Sequence, residues 1–126
     1  MYHAVFRTDA SNSIGGGHVM RCLTLANELK KRGWRCTFST ISETLKVIPA
    51  LLSSGHDIID SEARIDHADV LIVDHYGLDA GFETAARKWA RRIFVFDDLH
   101  NRLHDCDYLL DQTFGCDAAV YEAVNH

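Results

Sequence analysis

The sequence predicts the α/β class, with a parallel sheet covered by helices on its faces. Apolar runs such as Leu71-Ile72-Val73 and Ile93-Phe94-Val95-Phe96 do not alternate with polar residues, as half-exposed strands would, and suit strands buried on both sides. Stretches of helical periodicity lie between such runs, and clusters of Gly and polar residues punctuate the changes. Strands alternating with helices in this way build a Rossmann-like parallel sheet with flanking helices.

The elements follow in order. His3 to Arg7 carry Val and Phe in alternation and read as a strand, ending in a polar, glycine-rich turn from Asp9 to Gly17. From His18, the residues Val19, Cys22, Leu23, Ala26 and Leu29 recur at helical spacing, and Lys30-Lys31-Arg32 before Gly33 forms a helix ending. A second strand is expected at Arg35 to Thr40. Ser42 is expected to cap a helix running to about Leu52, kinked by Pro49 and ended by Gly55. Strands at His56–Ile59, Val70–Val73 and Ile93–Phe96 follow, with an amphipathic stretch from Ala80 to Ala90 that Asp79 caps, and Tyr108–Leu110 closes the series.

The 126 residues are 47% apolar and 25% charged, which is enough for one core that buries roughly two-thirds of the unfolded surface. One domain over residues 1–126 is expected. The net charge is -5 and the basic residues fall in short groups, Lys30-Lys31-Arg32 and Arg91-Arg92, so nucleic acid is not an expected partner. Both groups are expected at helix ends, where cations suit the dipole. No basic-led apolar run opens the chain, and no apolar stretch approaches the roughly 20 residues needed to span a bilayer, so a cytoplasmic protein without membrane contact is expected. Cys22, Cys36, Cys106 and Cys116 are far apart with no CxxC pair and read as reduced thiols.

Ligands of open parallel sheets bind at the carboxyl ends of the strands. Four segments rich in functional groups follow strands here: Arg7-Thr8-Asp9-Ala10-Ser11, Gly15-Gly16-Gly17-His18, Asp74-His75-Tyr76-Gly77 and Asp97-Asp98-Leu99-His100. They are expected to converge on one edge of the sheet. The three glycines let backbone approach a ligand and present N–H groups at a helix start, suited to a phosphate or a developing anion. Their spacing matches neither GxGxxG nor the Walker pattern, so a dinucleotide or ATP site is disfavoured and no cofactor is expected. A structural turn is the alternative for these glycines.

His18 falls in the first helical turn, where the positive dipole end disfavours the imidazolium and keeps the ring available as a base; local capping or packing is the alternative. Asp74, His75 and Tyr76 can bond sugar hydroxyls or fix a neighbouring side chain. Asp97 and Asp98 are read as loop and capping residues, since neighbours on a strand point to opposite faces. His100, His104 and Cys106 form a loose zinc pattern without an obvious fourth ligand, and no metal is expected. His3, His56, His67 and His126 read as surface or strand-end residues.

Read together, RTDASNSIGGGHVMRCLTLA (7–26), VDHYGLD (73–79) and FDDLHNRLHDCDYLLDQ (96–112) resemble the UDP-2,4-diacetamido-2,4,6-trideoxy-β-L-altropyranose hydrolase family of pseudaminic acid biosynthesis, which serves polysaccharide biosynthesis and flagellin glycosylation. The resemblance implies the N-terminal half of a GT-B-type fold, two Rossmann-like domains facing across a cleft, with a C-terminal UDP-binding domain beyond this chain. It implies metal-free, inverting attack of water at the anomeric carbon. On that resemblance His18 is the catalytic base, Gly15, Gly16 and Gly17 lie beside the diphosphate, and Arg7, Asp9, Ser11, His75 and Tyr76 belong to the substrate site. Two departures stand out: Gly16 replaces a small hydroxyl residue, and Thr113 replaces an Asn. The competing readings are a GT-B glycosyltransferase, disfavoured by the lack of an apolar, basic acceptor loop, and a non-catalytic metal- or sugar-binding module on His100, His104 and Cys106.

Overall fold

The computed structural model describes residues 1–97 and 103–110. The expectations for Asp98, Leu99, His100, Thr113, Cys116 and His126 lie outside the described residues. The element order is β1 (His3–Thr8), α1 (Gly17–Lys31), β2 (Arg35–Thr40), α2 (Ser42–Val47), a 3-10 turn (Pro49–Leu51), β3 (Asp57–Asp60), β4 (Ala68–Asp74), α3 (Ala80–Ala86), β5 (Ala90–Phe96) and β6 (Tyr108–Leu110). The strands pair in the order β3-β2-β1-β4-β5-β6, and every pairing is parallel. This is the Rossmann-like α/β arrangement that the apolar runs predict.

Side-chain alternation along β1 splits the core in two. Ala4 and Phe6 pack with Val19, Cys22, Leu23 and Ala26 of α1 and with Phe38 and Leu51, whereas Val5 joins Leu71, Val73, Ile93 and Val95 beneath Ala86 of α3. The helices therefore lie on opposite faces, as right-handed crossovers from a sheet growing both ways from its centre require. Phe6 and Phe38 are fully buried and stack with ring centroids 4.9 Å apart. Truncating either ring would cost about 3–5 kcal/mol through the cavity left behind.

Local chemistry accounts for most boundaries. Gly33 takes φ +87°, and the Gly33 and Trp34 N–H groups close on the Lys30 and Leu29 carbonyls, so α1 stops where a left-handed residue is available. Asp79 caps α3 by accepting from the Gly81 N–H at 3.0 Å. Three expectations need correction. Ser42 is the first residue of α2, not its cap: Ile41 holds that position in extended backbone and supplies no side-chain bond. Pro49 ends α2 and opens the 3-10 turn, because it has no N–H to continue the helix. Arg91 and Arg92 are exposed residues of β5 instead of a helix end, since α3 stops at Ala86 and Trp89 turns the chain back.

Among the described residues, Cys22 and Cys36 are free, buried thiols. Among the described residues, no helix is long and apolar enough to cross a membrane.

Candidate functional site

Strand order reverses between β1 and β4, the neighbours from which the sheet grows in opposite directions. The carboxyl ends of such a pair splay their following loops apart and leave a crevice. Asp9 and Asp74 stand at those two ends, and a cleft of about 480 Å³ opens there, lined by Asp9, Ser13, Ile14, His18, His75, Tyr76 and Gly77. Three of the four polar segments thus meet at one place.

The loop from Ser11 to Gly15 closes on itself. Ser11 Oγ accepts from the Ile14 N–H at 3.0 Å and lies 3.1 Å from Ser13 Oγ, while the Gly15 N–H donates to the Ser11 carbonyl at 2.8 Å. Gly15 adopts φ +81°, a conformation few other residues accept, and so delivers the chain to the start of α1. At Gly16 a Cβ would stand 2.5 Å from Ile48 Cδ1, so a side chain here requires Ile48 to turn away. The first helical bond runs from the Met20 N–H to the Gly16 carbonyl, which leaves the Gly17, His18 and Val19 N–H groups without intrahelical partners at the cleft end of α1.

His18 sits among these groups with its side chain 11% exposed. Its Nδ1 lies 2.6 Å from Asp74 Oδ1. Arg21, one turn along the same face of α1, donates through Nε to Asp74 Oδ2 at 2.6 Å and through Nη2 to Oδ1 at 2.7 Å. The guanidinium carbon also lies 4.4 Å from the Phe96 ring centroid. Burial opposes ionisation of Asp74, but the hydrogen bonds from Arg21 and His18 outweigh it and hold the carboxyl below its ordinary range. The first turn of α1 carries no acidic residue of its own, and Asp74 from β4 supplies the anion that the dipole favours there. The Tyr76 ring meets the His18 ring edge-on, with centroids 4.3 Å apart.

The second imidazole is held differently. His75 Nε2 lies 2.8 Å from Asp9 Oδ2, and the Gly77 N–H donates to His75 Nδ1 at 2.9 Å, so both ring nitrogens are engaged within the protein. Asp9 also receives Arg7 through Nη1 at 2.6 Å and Nη2 at 3.0 Å, together with the Ile41 N–H at 3.1 Å and the Thr40 hydroxyl at 3.2 Å. Burial opposes charge on Asp9, yet the bonds from His75, Arg7 and Ile41 prevail and push its carboxyl well below the usual range. One carboxylate therefore ties the ends of β1 and β2 to the loop after β4. Arg7 lines not the cleft but a second groove, of about 460 Å³, on the opposite face between Val5, Ser39, Leu71, Phe82 and Trp89. The imidazoles lie in the cleft and not in that groove, so we place the site in the cleft.

Asp97 does not join the cleft group. It is 1% exposed, and His104, also buried, lies 2.7 Å from Asp97 Oδ2 through Nε2 and 2.7 Å from Glu83 Oε2 through Nδ1. The loop-and-cap reading of Asp97 and the zinc reading of His104 both give way to a buried carboxylate–imidazole–carboxylate bridge, in which neither ring nitrogen is left for a metal. Burial disfavours charge on His104, but the bonds to Glu83 and Asp97 win and raise its pKa. Among the described residues, no group of three or more His, Cys, Asp or Glu side chains is arranged to hold a metal ion.

Arg21 and the Asp9 partners Thr40 and Ile41 are the residues the motif reading does not reach. Arg21 was accessible in principle, three positions after His18 on one helical face. Thr40 ends the neighbouring strand β2 and Ile41 follows it, and nothing in local spacing announces them.

The fold is of the Rossmann-like α/β class, in which small molecules bind at the crevice where the strand order reverses, and here that crevice holds an imidazole at a helix start. The chain is 30% identical over 124 residues to the UDP-2,4-diacetamido-2,4,6-trideoxy-beta-L-altropyranose hydrolase of Campylobacter jejuni, covering 95% of this chain and 45% of that protein. It is 29% identical over 99 residues to an uncharacterized protein of Methanocaldococcus jannaschii, covering 72% of this chain and 20% of that one. The chain thus spans less than half the length of these relatives. No protein-family profile and no solved structure matches it.

Proposed function

We propose that this chain forms the sugar-facing half of a UDP-sugar hydrolase, acting on UDP-2,4-diacetamido-2,4,6-trideoxy-β-L-altropyranose or a close relative, in the pseudaminic acid pathway. The observation that carries the reading is the placement of His18: in the cleft, at the start of α1, with Asp74 on Nδ1 and Nε2 without a partner among the described residues. The likeness to the Campylobacter jejuni hydrolase over 95% of the chain supports the substrate class.

His18 Nε2 takes a proton from a water as its oxygen bonds to the anomeric carbon. The bond from that carbon to the phosphate oxygen breaks on the opposite side, so configuration inverts and UDP departs with the bonding pair. The N–H groups at the start of α1 that have no intrahelical partner, beside Gly15, Gly16 and Gly17, receive the charge growing on the diphosphate. Ser13, Ile14 and Tyr76 line the cleft around the sugar, and Arg7, Asp9, Ser11 and His75 hold the loops that form it. The reaction uses neither cofactor nor metal ion. A second domain of the longer protein supplies most of the uridine contacts, in keeping with the 45% of the relative's length that this chain covers.

The test is UDP release from this sugar nucleotide by the longer protein, with product stereochemistry followed by NMR. Transfer to an acceptor sugar in place of water, or retention at the anomeric carbon, would replace this reading with a glycosyltransferase.

A further inference from the structure

We infer that Asp74, braced by Arg21, is the positioning residue that decides which nitrogen of His18 faces the cleft. The inference deepens the proposed function and rests on it only for its kinetic consequence; the tautomer is a property of the fold.

The hydrogen-bond inventory forces the assignment. An ionised carboxylate can only accept, and Asp74 is 1% exposed with charged Arg21 donors on both oxygens. At 2.6 Å from Asp74 Oδ1, His18 Nδ1 must carry a proton. The neutral ring then carries its lone pair on Nε2, the nitrogen that a base needs. The brace matters because a lone buried carboxylate would relieve its burial by taking up a proton and becoming a donor, which would leave the tautomer undecided. Arg21 prevents this by meeting both oxygens in a fork, and its own plane rests on Phe96, the last residue of β5. The imidazole of the cleft is thus held through two successive side chains anchored on β4 and β5.

Nitrogen-15 NMR of the His18 ring, at a pH where it is uncharged, reads the tautomer without any substrate. The expected result is one dominant form protonated at Nδ1, and in Asp74→Asn, whose amide can donate to Nδ1, a switch to the Nε2-protonated form. In the longer protein Asp74→Asn should lower kcat by roughly 10⁴-fold, as expected for a base held in the wrong tautomer, with KM little changed. Arg21→Met should lower kcat by roughly ten- to a hundredfold, the scale for partners that orient a histidine from behind, with partial recovery in Arg21→Lys. A wild-type ring protonated at Nε2, or an even mixture of forms, overturns the inference by itself, so the test stands even if Asp74→Asn does not fold. An unchanged tautomer in a folded Asp74→Asn, or unchanged kcat in Arg21→Met, overturns it as well. If the tautomer responds as described but the longer protein releases no UDP, the positioning survives and the hydrolase reading fails.

Discussion

His75 Nε2 lies 2.8 Å from Asp9 Oδ2 across the cleft, and this contact joins the loops that follow β1 and β4. Asp9 side-chain atoms are 5% exposed and those of Arg7 12%, so removing the carboxylate strands a cation out of water. Asp9→Ala is expected to lose about 3–5 kcal/mol, the cost of breaking a buried pair. The exposed Lys31–Glu28 pair, 72% and 55% accessible, should lose no more than about 1 kcal/mol when broken. Urea denaturation of both variants makes the comparison, and equal losses would show that Asp9 is not a structural hub.

Because both nitrogens of His75 are engaged, the two imidazoles of the cleft should respond differently to substitution. In the longer protein, His18→Asn is expected to lower kcat by roughly a hundred- to ten-thousandfold, the worth of a general base, with a smaller change in KM and unchanged circular dichroism. His75→Asn should act mainly through stability and KM. Near-normal kcat in a folded His18→Asn would remove the base assignment.

On the proposed mechanism, activity of a protein that carries this chain together with a second domain is expected to survive EDTA, since N–H groups at the helix start would meet the departing diphosphate. The 126-residue chain alone should fail to release UDP at rates typical of enzymes, about 1–1000 per second. Turnover in that range by the isolated chain would refute the division of the site between two domains, and activity lost to chelator but restored by a divalent ion would refute the metal-free reaction.

The Glu83–His104–Asp97 bridge sets one end of the stability profile. His104 has a raised pKa in the folded chain, so its contribution is complete below the unfolded value of about 6.5 and is lost as pH rises through the folded one. Asp9 and Asp74 have lowered values, so theirs is present above about 3.9 and lost as pH falls toward the folded values. Denaturation midpoints measured across pH should fall at both ends, and His104→Gln should flatten the alkaline side while leaving the acid side in place.

The α/β class, the order of strands and helices, the stop at Gly33 and the cap at Asp79 are legible in the sequence, because each depends on neighbours a few residues away. Periodicity exposes burial, a glycine marks a positive φ, and an Asp before a helix accepts its free N–H groups. The convergence of Asp9, His18 and Asp74 on one edge is legible too, because parallel strands send all their following loops to the same side.

What each imidazole bonds to was decided only by the tertiary structure. His18, His75 and His104 look alike as residues, yet one keeps a ring nitrogen without a partner among the described residues, one has both taken by Asp9 and Gly77, and one is sealed between Glu83 and Asp97. Their partners lie 56, 66 and 21 residues away, apart from the nearby Gly77 and Asp97. The protonation and tautomer of an imidazole follow from the dielectric and the donors around it, and those are set by which strands pair and how far a helix extends, not by the residue or its immediate neighbours.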